Sequence, residues 1–260
     1  VEINAITKPY SYVRIKYNKV MHEYTYELIE PQLTDEEVKT LKFVKDTLIK
    51  TLEYTFDETT HKDKEEYLRK SIDALLSSRG ITLVPVSRDR ITYYVIRDFI
   101  GFGKLDPLMK DPQIEDVSND GVRIPIYVFH RKYGSIKSTL MFGSDAEVDS
   151  FVINMAQRSG KHISVADPLL DATLPDGSRL QATLAREVTT RGSSFTIRRF
   201  RDNPFTPPDM LRFRTLEVSM LAYLWLAIEH GESMLICGGT ASGKTTTLNA
   251  LLLFIPPQHK

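Results

Sequence analysis

The chain has 260 residues and 29.7 kDa, with 34 Lys and Arg balanced by 34 Asp and Glu. That balance excludes a charge-driven grip on nucleic acid or anionic membrane by the chain as a whole. The 42% hydrophobic and 26% charged composition is that of a soluble globular protein long enough for two cores.

One cysteine, Cys237, excludes an intrachain disulfide and suits a reducing cytoplasm. The longest apolar run, residues 220–228, falls far short of the roughly 20 residues of a membrane span. No basic and apolar leader opens the chain, so no signal peptide is expected. It begins on Val1, not Met, so its first residue need not be the translation start.

Residues 12–17 and 23–29 alternate in the manner of strands, with Asn18-Lys19 as a turn between them. Their tyrosines read as a half-exposed sheet face, because too little basic sequence flanks them for a base-stacking platform. Thr34-Asp35-Glu36-Glu37 is a capping box that opens a helix with Val38, Leu41, Val44, Leu48 and Leu52 on its apolar face. A charged break at 57–64 leads to a second helix carrying Leu68, Ile72, Leu75 and Leu76 and closed by Gly80. A third helix is expected over 87–100. Residues 1–100 thus form a strand hairpin with a helical subdomain.

From Gly101 the pattern changes. Asp106-Pro107 and Asp111-Pro112 mark turns. Strands are expected at 114–117, 125–130 and 138–142. A second capping box, Ser144-Asp145-Ala146-Glu147, precedes a helix bearing Val148, Phe151, Val152, Met155 and Ala156 and ending at Gly160. Strands at 179–184 and 194–200 complete an α+β domain over 101–201 with a mainly antiparallel sheet. Residues 202–214 form a linker, semi-stiff where 202–209 carries three prolines. The helix over 215–230 is apolar nearly all round at 220–228 and is expected to be buried.

The most specific stretch is Gly238-Gly239-Thr240-Ala241-Ser242-Gly243-Lys244-Thr245, which fits G-x-x-x-x-G-K-[ST]. Met234-Leu235-Ile236-Cys237 before it reads as a strand buried on both faces, with Cys237 inert inside it. Residues 246–254 after it read as a helix stopped by Pro256-Pro257. In that order, glycines let backbone N–H groups approach phosphate oxygens and the helix N-terminus adds its positive end. The nucleotide-binding set is Gly239, Thr240, Ala241, Ser242, Gly243, Lys244, Thr245 and Thr246. Lys244 is the mobile charge for the β- and γ-phosphates and Thr245 the Mg²⁺ ligand, so ATP and Mg²⁺ are the expected ligands.

A second group lies between Ser178 and Arg201. Arg179, Arg186, Arg191, Arg198, Arg199 and Arg201 occur there with no lysine and one acid, Glu187. Forked, planar donors without lysine suit phosphate oxygens. The competing reading for each arginine is an ion pair on a solvated sheet face. His61, His130, His162, His230 and His259 show no metal-ligand spacing.

With these stretches, the chain resembles the secretion superfamily of hexameric ATPases, which power type II secretion, type IV pili and the archaeal flagellum. The likeness is greatest to archaeal GspE-like and FlaI-like members. It is carried by Gly103-Lys104-Leu105-Asp106-Pro107-Leu108-Met109, by residues 124–133, by Ser159-Gly160-Lys161-His162-Ile163-Ser164, by residues 174–180 and by residues 240–250.

The resemblance implies an α/β protein: an α+β N-terminal domain with its helical subdomain, linked to the start of a RecA-like ATPase domain at 215–260. It implies a motor subunit that binds and hydrolyses ATP, a homohexamer at the cytoplasmic face of the membrane, and a membrane platform protein as partner, with no nucleic acid and no membrane span. It implies phosphate contacts for Arg179, Arg191 and Arg198, with a poorer match for Arg186, Arg199 and Arg201. The family's acidic box, Walker B and His box follow the P-loop at positions after Lys260, so residues 1–260 alone are expected to hydrolyse ATP poorly if at all. Two other readings are a non-catalytic module docking on a platform protein or on neighbouring subunits, and a P-loop kinase. The long arginine-bearing region ahead of the loop speaks against the kinase.

Overall fold

The computed structural model describes residues 2–51, 61–186, 188–200, 204–239 and 242–258. It divides into two units, Val1–Phe200 and Arg201–Lys260.

The first unit is built on one nine-stranded sheet. Its strands are β1 (Glu2–Thr7), β2 (Ser11–Asn18), β3 (Glu23–Ile29), β4 (Ile114–Asn119), β5 (Pro125–His130), β6 (Gly134–Met141), β7 (Leu169–Thr173), β8 (Arg179–Thr183) and β9 (Ser194–Arg198), in spatial order β1-β2-β3-β6-β5-β4-β9-β8-β7. Every pairing is antiparallel except β3 with β6. The β2–β3 turn falls where expected, because the Asn18 side chain accepts from the Val20 and Met21 N–H groups at 2.9 and 3.2 Å.

Period-two alternation gives the sheet two different faces. On one, Val13, Ile15, Tyr26, Val117, Ile126, Val128, Leu180, Ala182, Phe195 and Ile197 are buried against α4 (Asp106–Lys110) and α5 (Asp145–Arg158). On the other, Tyr127, Phe129, Arg198, Arg179, Gln181 and Asp171 are exposed. The Ser144 hydroxyl caps α5 by accepting from the Glu147 N–H.

The helical part has its own core. Leu41, Val44 and Leu48 of α1 (Asp35–Thr51) meet Leu68, Ile72 and Leu76 of α2 (His61–Ser78) and Ile91 and Val95 of α3 (Pro85–Phe99). Val38, placed on the same stripe by the sequence, is 50% exposed, and Leu52 and much of the charged break lie outside the described residues. The α1 capping box is formed: Thr34 N–H donates to Glu37 at 2.8 Å and the Thr34 hydroxyl accepts from Glu37 N–H at 3.3 Å. Arg97 ties α3 to the chain leaving β3, donating to both Glu30 carboxylate oxygens at 2.9 Å and to Asp98 at 2.7 Å.

Several expectations change. The break expected at 100/101 does not divide the sheet: β3 pairs with β6, so the N-terminal hairpin continues the same layer. Strands β1 and β7 have no counterpart in the sequence pattern; both are edge strands, and β1 is barely buried. Asp106-Pro107 starts α4 instead of ending structure, because proline is tolerated in a first helical turn.

In the second unit, α6 (Pro207–Arg212) sits inside the stretch expected to be linker. Thr206 and Asp209 form a capping box around the prolines, the hydroxyl donating to the carboxylate at 2.7 Å. Then come α7 (Val218–Glu229) and α8 (Lys244–Leu251). Residues 234–237 are not a strand. A strand buried on both faces needs neighbours, and none of the described residues of this unit forms one. Leu235 is 88% exposed and Cys237 is exposed, so the thiol does not lie inside a sheet. The apolar α7 is likewise not buried all round: only Leu221 is, and Trp225 stacks on Phe254 at 5.2 Å while half exposed.

Candidate functional site

Glycine, hydroxyl and lysine converge at the head of α8. Gly243 is its N-cap in the left-handed conformation (φ +84°) and contributes no side-chain cap, so nothing on that residue competes for the first amides of the helix. The first turn closes with Thr247 N–H on the Gly243 carbonyl at 2.8 Å. Gly238 packs close to the Ser242 hydroxyl, which a Cβ there would approach to 2.6 Å and displace. That hydroxyl donates to the Gly239 carbonyl at 2.9 Å, and the Lys244 ammonium donates to the same oxygen. Thus Gly239, Ser242, Gly243 and Lys244 form one turn around one carbonyl, with exposed Thr245 and half-buried Thr246 following on the helix. Thr240 and Ala241 lie outside the described residues.

This cradle suits a polyphosphate. An uncapped helix start and a short glycine loop present amide hydrogens, and Lys244 is a mobile cation whose carbonyl contact an anion can replace. For a metal, no group of three His, Cys, Asp or Glu that could hold an ion occurs among the described residues. The Thr245 hydroxyl at the head of α8 fits Mg²⁺ held mainly by phosphate oxygens and water.

The arginines divide by partner. Arg179 pairs with Asp171 on the neighbouring strand at 2.6 and 3.1 Å, which raises the arginine pKa further and holds the Asp171 carboxyl below its usual range. Arg198 donates to Asp116 at 3.1 Å across β4–β9, and Arg186 donates to Asp145 at 3.3 Å. Arg199 serves structure, donating to the carbonyls of Asp111 and Ile114. Arg191 is exposed, in the loop between β8 and β9, and no partner for it occurs among the described residues. Arg201 lies outside them.

Arg179 and Arg198 come together as direct cross-strand neighbours on the open sheet face. Beside them a concavity of about 490 Å³ is lined by Asp171, Gln181, Thr183, Ser194 and Thr196. Arg191 is not brought to this pair: it precedes β9 while Arg198 ends it. Sequence reading missed the partner carboxylates Asp116, Asp145 and Asp171. Only strand register, which puts Asp116 opposite Arg198 from 82 residues away, reveals the first of them.

Residues 123–260, more than half of the chain, match the family described as Type II/IV secretion system protein. An uncharacterized protein of Methanocaldococcus jannaschii is 37% identical over 256 residues, covering 90% of this chain and 46% of its own length. A second protein of that organism is 41% identical over 175 residues, 67% of this chain and 69% of its own. The chain therefore spans about half of the first relative and about two thirds of the second. Among solved structures, the VirB11 ATPase of the Brucella suis type IV secretion system, in complex with sulphate, is similar at 22% identity and TM-score 0.37, over 58% of this chain and 51% of that one. The family match, which includes residues 238–245, and the second relative together place this chain in the type II/IV secretion system protein family.

Proposed function

We propose that the chain is the nucleotide-binding part of a motor subunit that binds Mg·ATP at Gly239–Thr246 and, in the complete protein, hydrolyses it to drive a secretion, pilus or archaeal flagellum machine. The observation that carries the reading is Lys244 at the start of a helix whose N-cap is a left-handed glycine without a side chain. Loop amides would take the phosphate oxygens, and Lys244 would leave the Gly239 carbonyl for the β- and γ-phosphates. Thr245 would hold Mg²⁺, which offsets the phosphate charge.

Arg179, Arg191 and Arg198 are proposed to act on the phosphates, in the same subunit or a neighbour. Phosphate must displace a carboxylate at Arg179 and Arg198, and faces no such competitor among the described residues at Arg191. Family membership supports a secretion role. A homohexameric ring, a membrane platform partner and a place at the cytoplasmic face are proposed from the resemblance. No helix among the described residues is long and apolar enough to cross a membrane, so attachment is assigned to the partner.

The test is Lys244→Ala in the complete protein, with ATP turnover and nucleotide binding measured beside circular dichroism. The hydrogen bond that the Lys244 ammonium makes among the described residues is to its own loop, at the Gly239 carbonyl, so the fold should persist while binding and turnover are lost. Unchanged turnover would remove the phosphate-loop assignment.

A further inference from the structure

Described residues of the loop that carries Arg191, between β8 and β9, make several side-chain hydrogen bonds. Ser193, with no exposed surface, accepts from the Ala185 N–H at 2.7 Å and donates to the Asp149 carboxylate on α5. Ala185 itself is left-handed at φ +60°, a strained state for a residue with a Cβ. Thr189 bonds the Gly192 carbonyl, and its hydroxyl lies 3.3 Å from that of Thr183, which meets Ser194 at 2.8 Å. Gly121 lies close beneath the loop, where a Cβ would stand 2.5 Å from the Arg191 carbonyl, and Gly192 is left-handed at φ +89°.

Ser193, two residues after Arg191, is thus tied to α5 through Asp149, and Thr189, two residues before it, to the Gly192 carbonyl, while Arg191 itself stays exposed. Stability alone gives little reason to pin an exposed arginine in this way. An arginine that must meet a phosphate in one geometry does give a reason, because rotamer and loop freedom would otherwise be lost at every encounter. We infer that Asp149, acting through Ser193, is a positioning residue that sets the backbone of Arg191 for contact with nucleotide phosphate. The inference rests on the ATPase reading above. The chemistry of Asp149 suits this role. A carboxylate accepting from a buried hydroxyl makes a charge-assisted bond, and its loss leaves that hydroxyl without its acceptor.

The experiment uses the complete protein and ATP, with kcat, KM and nucleotide affinity measured for Lys244→Ala, Arg191→Ala, Asp149→Ala, Asp149→Asn and the double variant Asp149→Ala/Arg191→Ala. Arg191→Ala is expected to lower kcat by about 100-fold with KM little changed. Asp149→Ala should lower it by about ten-fold, and Asp149→Asn, which keeps an acceptor for Ser193, should recover most of that. The decisive readout is the double variant. If Asp149 acts through Arg191, adding Asp149→Ala to Arg191→Ala costs nothing further. Multiplying losses would overturn the inference, as would an Asp149→Ala defect that Asn does not relieve. If Lys244→Ala stops turnover while Arg191→Ala does not, the inference fails and the phosphate loop stands. If Lys244→Ala turns over normally, the ATPase reading fails and takes this one with it.

Discussion

Arg179 and Arg198 face each other directly across the β8–β9 ladder, and each is drawn to its own carboxylate, Asp171 and Asp116. Like charges directly opposite on a sheet repel, so the two acids offset a cost that the strand register imposes. Arg198 also sits opposite Asp116 itself, which makes an acid–base–base row across three strands. On an exposed face such pairs add little to stability, so stability alone does not require this arrangement.

This row separates the phosphate reading from the ion-pair reading. Arg179→Ala and Arg198→Ala in the complete protein should cut ATP turnover far more than ATP affinity, as expected for charge that acts mainly in the transition state. Arg186→Ala and Arg201→Ala should do little. Asp171→Asn frees Arg179 from its competitor and should not lower turnover. Steady-state kinetics with equilibrium binding on all five variants would decide the matter: small, equal effects make the arginines surface ion pairs and nothing more.

Gly101 is required sterically where α3 passes to α4. A Cβ there would stand 2.2 Å from a carboxylate oxygen of Asp106 and 2.7 Å from the Arg97 carbonyl. The same Asp106 oxygen accepts from the Phe102 N–H at 3.2 Å and cannot withdraw freely. Gly101→Ala should therefore destabilise the first unit by about 1–3 kcal/mol, read as a lower urea midpoint by circular dichroism. A midpoint equal to that of the parent would show that the turn relaxes without cost.

What the sequence disclosed was mostly local. Thr34 with Glu37, Ser144 with Glu147, the Asn18 turn and the Gly243-Lys244 helix start are each defined by residues within a few positions, and each is formed. The expected and observed bounds of β5 coincide, because alternation and a following turn bracket it. What stayed hidden was long-range. β1 and β7 owe their strand state to neighbours. The exposure of α7 and the unpaired state of 234–237 depend on which elements lie beside them, which an apolar run cannot report. At the site, the helix start at Gly243-Lys244 was legible from residue order while the strand expected before the loop is not formed, and the partners that distinguish Arg179, Arg186 and Arg198 from Arg191 depend on register and packing.

The α1 capping box offers a test of local energetics. Thr34→Ala leaves the Glu37 N–H without its side-chain acceptor and removes one half of a reciprocal pair. The expected loss is about 1 kcal/mol, seen as a lower thermal midpoint. Thr34→Ser should retain most of it, since serine supplies the same oxygen. Equal losses for both variants would mean that the methyl group, not the cap, is what matters at this position.

His130 gives the first unit a pH dependence of predictable sign. The residue is 2% exposed and its Nδ1 accepts from the Lys132 N–H at 3.1 Å, so the neutral form fits the site. The charged and titratable groups that act on it are Asp111 and Glu2, which favour the imidazolium, and Lys132 and Arg131, which oppose it, while the Tyr133 ring lies 5.0 Å away. Burial is the largest influence and lowers the pKa below the usual 6.5. The unfolded chain therefore takes up a proton near pH 6.5 at a point where the folded chain does not. Stability from this group is fully present above that pH and is lost as pH falls from there through the lower folded pKa. His130→Asn keeps an acceptor for Lys132 and does not titrate. Urea midpoints between pH 7.5 and pH 5 should fall more steeply for the parent than for this variant; parallel slopes would show that His130 is protonated equally readily in both states and that burial does not govern it.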